Sequence, residues 1–133
     1  MKKILVIDDD DSTRESIATY LTDIGYDTLE ASNGKIGLEL IKRNFFDLII
    51  SDIKMSGING IELTHSLKKL NFNIPIILIS AVEKSEVETI EKYIYSFFQK
   101  PLNIKELKTS VSNALYRNKR KGNPDKQGIN VTL

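Results

Sequence analysis

Ile4-Leu5-Val6-Ile7-Asp8-Asp9-Asp10 is an apolar run with no polar break that stops in three acids. The pattern recurs: Leu48 to Ser51 runs into Asp52, Ile74 to Ile79 into Ser80, and Phe97 to Gln99 into Lys100. Unbroken apolar runs this short suit strands covered on both faces, as in a parallel sheet. Ligands in open α/β sheets bind outside the carboxyl ends of the strands. Four strand-like runs that all end in ionisable or hydroxylated groups therefore point to one site at one edge of one sheet.

The segments between these runs alternate with them. Strands are expected at Lys3 to Ile7, Asp27 to Glu30, Leu48 to Ser51, Pro75 to Ser80 and Tyr95 to Gln99, the second less buried than the rest. Helices are expected at Thr13 to Asp23, Gly34 to Asn44, Ile61 to Leu70, Ser85 to Lys92 and Ile104 to Asn118. Ser12 or Asp11 suits the first N-cap and Gly25 its stop, with Ile17, Tyr20, Leu21 and Ile24 as the buried stripe. Five β-α units in strict alternation predict a doubly wound parallel sheet with right-handed crossovers and helices on both faces.

At 133 residues, 41% hydrophobic and 28% charged, the chain has the size and balance of one soluble globular domain. The absence of cysteine excludes disulfides, thiolate metal sites and cysteine nucleophiles. No apolar stretch approaches the roughly 18 residues of a membrane span, and Met1-Lys2-Lys3 leads straight into a strand-like run, so a cytoplasmic location is expected. From Arg117 onward five basic residues face only Asp125, a charge of +4; with a net charge of +1, residues 1–116 carry −3. The expected division is a folded domain over 1–117 and a polar basic tail or linker remnant over 118–133. Such a tail reads as a solvated end, and the acidic folded part offers no nucleic-acid site.

If the first and third strands are neighbours, their ends lie about 5 Å apart and Asp8, Asp9 and Asp52 converge. Three close carboxylates repel, and a hard divalent cation with oxygen ligands relieves the repulsion; Mg²⁺ is commonly held this way together with a phosphate. Helix initiation alone explains Asp10 and Asp11 but not Asp52 at the end of another strand. A carboxylate beside such a cation can be a nucleophile toward a phosphoryl group. Lys100 can neutralise the developing charge and Ser80 can donate a hydrogen bond to a phosphoryl oxygen.

These residues resemble the receiver domain of bacterial two-component response regulators over roughly Lys2 to Tyr116. The motifs that carry the likeness are Ile4 to Asp10, Leu48 to Met55 with Gly57 and Gly60 after it, Ile79-Ser80-Ala81, and Gln99-Lys100-Pro101. The resemblance implies a flavodoxin-like fold of five strands in order 2-1-3-4-5 with five helices. It implies that Asp52 accepts phosphate from a histidine kinase or phosphotransfer protein, and that Asp8, Asp9, Asp52 and the Lys54 backbone carbonyl hold Mg²⁺, with Mn²⁺ as a substitute. It also implies that Ser80 and Lys100 bind the phosphoryl group. Ser80 and Phe97 would then move together as a switch toward an output domain or protein, with a phosphorylation-dependent homodimer as one form of output. The same resemblance favours a cis Lys100-Pro101 bond.

The chain departs from the family at Ser56, where proline is usual, at Asn59 in place of Asp, and at Tyr93-Ile94 in place of Gly-Ala. Lys54 is a further departure and should alter phosphoryl lifetime. His65 reads as an exposed helix residue, and Tyr93, Tyr95 and Phe98 as core rather than a partner patch. A competing reading takes Asp8-x-Asp10-x-Ser12 as the motif of a haloacid dehalogenase-like phosphohydrolase, with Asp8 as nucleophile and Asp10 as acid/base. The chain is short for such an enzyme and shows no cap domain.

Overall fold

The computed structural model describes residues 1–81 and 84–121. Five strands are found among them: β1 (Lys3–Ile7), β2 (Asp27–Ala31), β3 (Leu48–Asp52), β4 (Ile76–Ser80) and β5 (Ser96–Gln99). All neighbours pair in parallel, in the order β2-β1-β3-β4-β5. The helices are α1 (Asp11–Asp23), α2 (Gly34–Arg43), α3 (Gly60–Lys69) and α4 (Ile104–Lys121), with a 3-10 helix at Lys84–Tyr93. The doubly wound sheet and its strand order are those expected from the sequence. Contacts divide the chain into a unit of residues 1–102 and a unit of residues 103–133.

Within the first unit, the chain leaves β1 toward β2 and later returns past β1 to β3. Right-handed crossovers in opposite directions place α1 on one face and α2 on the other. The α2 side is closed by a cluster that joins Leu5, Ile7, Ile49 and Leu78 of the sheet to Ile41, Leu63, Leu67, Val87 and Ile90 of the helices. Ile4, Val6, Ile50 and Ile77 alternate to the other face and are equally buried, so three strands are apolar on both sides. In the second unit Asn103 caps α4, its Oδ1 accepting from the amides of Lys105 and Glu106 at 3.0 and 3.1 Å. Leu107, Val111, Ala114 and Leu115 form its apolar stripe.

Several boundaries differ from expectation, each for a local reason. α1 starts at Asp11 because Asp10, not Ser12 or Asp11, is the N-cap; its side chain accepts from the Thr13 amide. Its buried stripe is Arg14, Ile17, Ala18 and Leu21, while Tyr20 is half-buried and Ile24 exposed as the C-cap. Gly25, with φ +107, ends the helix as expected. Asn59 starts α3 one residue early through a reciprocal capping box with Glu62. The segment expected as an α-helix over Ser85 to Lys92 is a 3-10 helix, whose buried residues Val87 and Ile90 stand three apart, the period of that tighter turn. β2 and β3 each run one residue further, β4 begins after Pro75, and the last helix continues past Asn118. The tail expected over 118–133 lies outside the described residues from 122 onward.

Candidate functional site

β1 and β3 are neighbours whose outgoing crossovers diverge, which opens a crevice at their carboxyl ends. Ile7 is in register with Ser51, so the next residues, Asp8 and Asp52, face one another across the two strands. One carboxylate oxygen from each of Asp8, Asp9 and Asp52 lies within 4.8 Å of the other two. Asp8 is fully buried, Asp52 is 5% exposed, and Asp9 opens to solvent.

Each buried carboxylate is fixed by the backbone. Asp8 Oδ1 accepts from the Asp10 amide at 3.0 Å, and Asp52 Oδ1 from the Ile53 amide at 2.9 Å. Lys100 follows β5 and reaches back over β4, its Nζ 3.2 Å from Asp8 Oδ2 and 3.5 Å from Asp52 Oδ2. It therefore bridges two carboxylates. Burial, and next the Asp8 charge, push the Asp52 carboxyl up to about 6, against the pull of Lys100 and the Ile53 amide. Burial by itself would lower the Lys100 pKa, but the charges of Asp52 and Asp8 outweigh it and hold the ammonium above its usual value. The donor set is all oxygen and strongly negative, which fits a hard cation such as Mg²⁺.

Ser80 is buried at the end of β4, and the amide of Lys100 donates to its carbonyl at 2.8 Å. Phe97 is in register with Leu78, so its ring shares a sheet face with Leu78 and Ser80. The ring packs against the core and lines a cleft of about 290 Å³ with Val87, Glu91, Ile94 and Tyr95. Lys54 is exposed just beyond β3. His65 is exposed, as expected, and its ring meets Tyr93 edge-on at 6.3 Å. Tyr93 and Phe97 pack on the core, whereas Tyr95 is 37% exposed. The Lys100-Pro101 bond is cis.

The loop beyond Asp52 is held close by a glycine. A Cβ on Gly60 would lie 2.5 Å from the Asp52 carbonyl oxygen and 2.9 Å from the Ile53 Cα. The Gly60 amide donates to Ile53 O at 2.9 Å, drawing the start of α3 against the end of β3. Asp10, the proposed acid/base of the phosphohydrolase reading, is instead an exposed helix cap held low by the Thr13 hydroxyl.

The residue that sequence reading missed is Arg14. It is nearly buried, and its Nη1 donates to the Asp8 carbonyl at 2.9 Å. The signal was present: an arginine on the stripe positions of α1, four before Ala18 and seven before Leu21.

A family model described as the response regulator receiver domain matches residues 4–112. The transcriptional regulatory protein ZraR of Klebsiella oxytoca is 33% identical over 114 residues, which cover 84% of this chain and 26% of ZraR. A cyclic di-GMP phosphodiesterase of Thermotoga maritima is 30% identical over 114 residues, 84% of this chain and 30% of that protein. The chain thus spans less than a third of the length of these two relatives. Among solved structures, the Francisella response regulator 1452 receiver domain is 35% identical, covers 89% of this chain and is itself covered over 99%, with TM-score 0.83. The response regulator TrrA of Thermotoga maritima, in complex with Mg²⁺-BeF, is 33% identical with TM-score 0.80, over 86% of this chain and 100% of TrrA.

Proposed function

Since this chain belongs to the receiver-domain family of two-component response regulators, we propose that it takes a phosphoryl group from a histidine kinase or phosphotransfer protein onto Asp52. The observation that carries this reading is the Lys100 ammonium bridging buried Asp8 and Asp52, with Asp9 beside them. At neutral pH a carboxyl with pKa about 6 is ionised and can act as a nucleophile. An Asp52 oxygen attacks phosphorus, the P–N bond to the donor histidine breaks, and its electron pair stays on the imidazole.

Asp8, Asp9, Asp52 and the Lys54 backbone carbonyl would hold Mg²⁺, with Mn²⁺ as a substitute. Bound there, the metal would supply charge neutralisation for the phosphoryl oxygens. Lys100 leaves its Asp52 contact and pairs with the new phosphoryl oxygens while keeping Asp8 in place. The Ser80 hydroxyl turns toward the same group, and the space it vacates lets the Phe97 ring, on the same sheet face, leave the cleft beside it. That rearrangement is the output, read by a partner protein or by a domain of a longer chain. Water then attacks phosphorus, the bond to the Asp52 oxygen breaks with its electron pair returning to the carboxylate, and inorganic phosphate leaves; exposed Lys54, two residues from the acceptor, changes the rate of that step.

Incubation with acetyl phosphate and Mg²⁺, followed by intact-mass measurement, tests the reading. One phosphoryl group should be gained by the wild type and by none of the Asp52→Asn protein. A gain that survives Asp52→Asn but disappears in Asp8→Asn would sink the receiver chemistry and restore the phosphohydrolase.

A further inference from the structure

We propose that Arg14 is a positioning residue for the acidic pocket, holding the Asp8-Asp9 turn in the shape that a divalent cation needs. The inference rests on the metal-site reading above and adds a residue to it. Three of the guanidinium's nitrogens are engaged in different directions. Nε donates to Glu30 Oε1 on β2 at 3.0 Å. Nη1 reaches both the Asp8 carbonyl at 2.9 Å and the Asp11 carboxylate at 2.8 Å, while Nη2 lies 3.9 Å from Glu15. Arg14 thus ties the turn after β1 to the first turn of α1 and to the neighbouring strand.

That tie bears on Asp8 in particular. The Asp8 amide donates to Ala31 O at 3.1 Å, its Oδ1 accepts from Asp10 N, and its Oδ2 meets Lys100. Arg14 adds a contact to the Asp8 carbonyl, so the residue is held at its main chain as well as at its carboxylate. Only a planar fork can span three acceptors in fixed directions, and a lysine ammonium at the same position keeps the charge while losing that geometry. Groups that orient metal ligands from behind typically change metal affinity by about 10–100-fold when altered.

The test compares Arg14→Lys, Glu30→Gln and Glu15→Gln with the wild type in two measurements. One is the rise in melting temperature as Mg²⁺ is added without a phosphodonor; the other is the Mg²⁺ dependence of phosphorylation by acetyl phosphate. Arg14→Lys should raise the half-saturating Mg²⁺ about tenfold in both, with the rate at saturating Mg²⁺ within about twofold of wild type. Glu30→Gln should move the midpoint further than Glu15→Gln, which removes equal charge at a longer distance. If Arg14→Lys does not fold, the two glutamate variants decide the matter on their own. An Arg14→Lys protein that melts lower but keeps the wild-type midpoint overturns the proposal, as does an equal effect of the two glutamate changes. A wild-type protein that ignores Mg²⁺ would overturn the metal-site reading itself.

Discussion

Asp52→Asn should make the metal-free protein more stable at neutral pH and should lose that advantage in acid. Asp52 is 5% exposed and carries a carboxyl raised to about 6, mainly by burial and then by the Asp8 charge. A carboxyl whose folded pKa lies above its unfolded value of 3.8 opposes folding when ionised. The opposition is full above about pH 6, falls as pH drops through that value, and is gone near the unfolded value. At 1.36 kcal/mol per pH unit the ceiling is about 3 kcal/mol. The pocket opens to water over Asp9, and Lys100 loses a partner on substitution, so about 1–3 kcal/mol remains at pH 7. For a chain of this size that is roughly 3–10 °C in melting temperature. Thermal unfolding in EDTA at pH 7 and pH 4.5 would measure it, with the difference expected to shrink to about 1 kcal/mol or less at the lower pH. An Asp52→Asn protein that melts at or below the wild type at pH 7, or whose advantage is the same at both values, would refute burial and charge crowding as the cause.

Further outcomes follow from single contacts. Gly60→Ala places a methyl against backbone that cannot yield, and should cost about 1–3 kcal/mol in urea unfolding; an unchanged midpoint would show that α3 shifts freely. Asn59→Ala removes the side-chain half of the α3 capping box, leaving the backbone amide of residue 59 to donate to Glu62, and should cost about 1 kcal/mol, read as a lower urea midpoint at constant m. Lys54→Asn replaces the cation just beyond the acceptor and should change the half-life of the phosphoryl group, followed by loss of the added mass in EDTA; equal half-lives would remove Lys54 from the dephosphorylation step. In each case the variant's folding is checked by its far-UV dichroism.

The strands and the acids at their ends could be read from the chain alone because their causes are local, whereas the order of the strands came only with the family resemblance. Ile4 to Ile7 and Leu48 to Ile50 have no polar residue to give to solvent, so they must be covered on both faces, and the residues after them must emerge at one edge. What a local pattern cannot contain is a contact made from far away. Lys100 bridges Asp8 and Asp52 only because β5 lies beyond β4 and the side chain reaches back across it. The raised Asp52 carboxyl depends on the same convergence, since neither burial nor the Asp8 charge is a property of its neighbours in sequence. The 3-10 helix was expected as an α-helix because, over a short span, apolar residues three apart satisfy either period. Arg14 was hidden for a related reason: an arginine on the apolar stripe of a helix has a role only once β2 brings Glu30 beneath it and the turn after β1 turns a carbonyl toward it. Alternation of strand and helix, and acids at the strand ends, were determined by the sequence, because hydrophobic periodicity and chain direction act within a segment. Which groups share a proton, a cation or a hydrogen bond was decided only by the tertiary structure, because those interactions depend on distances that the crossovers set.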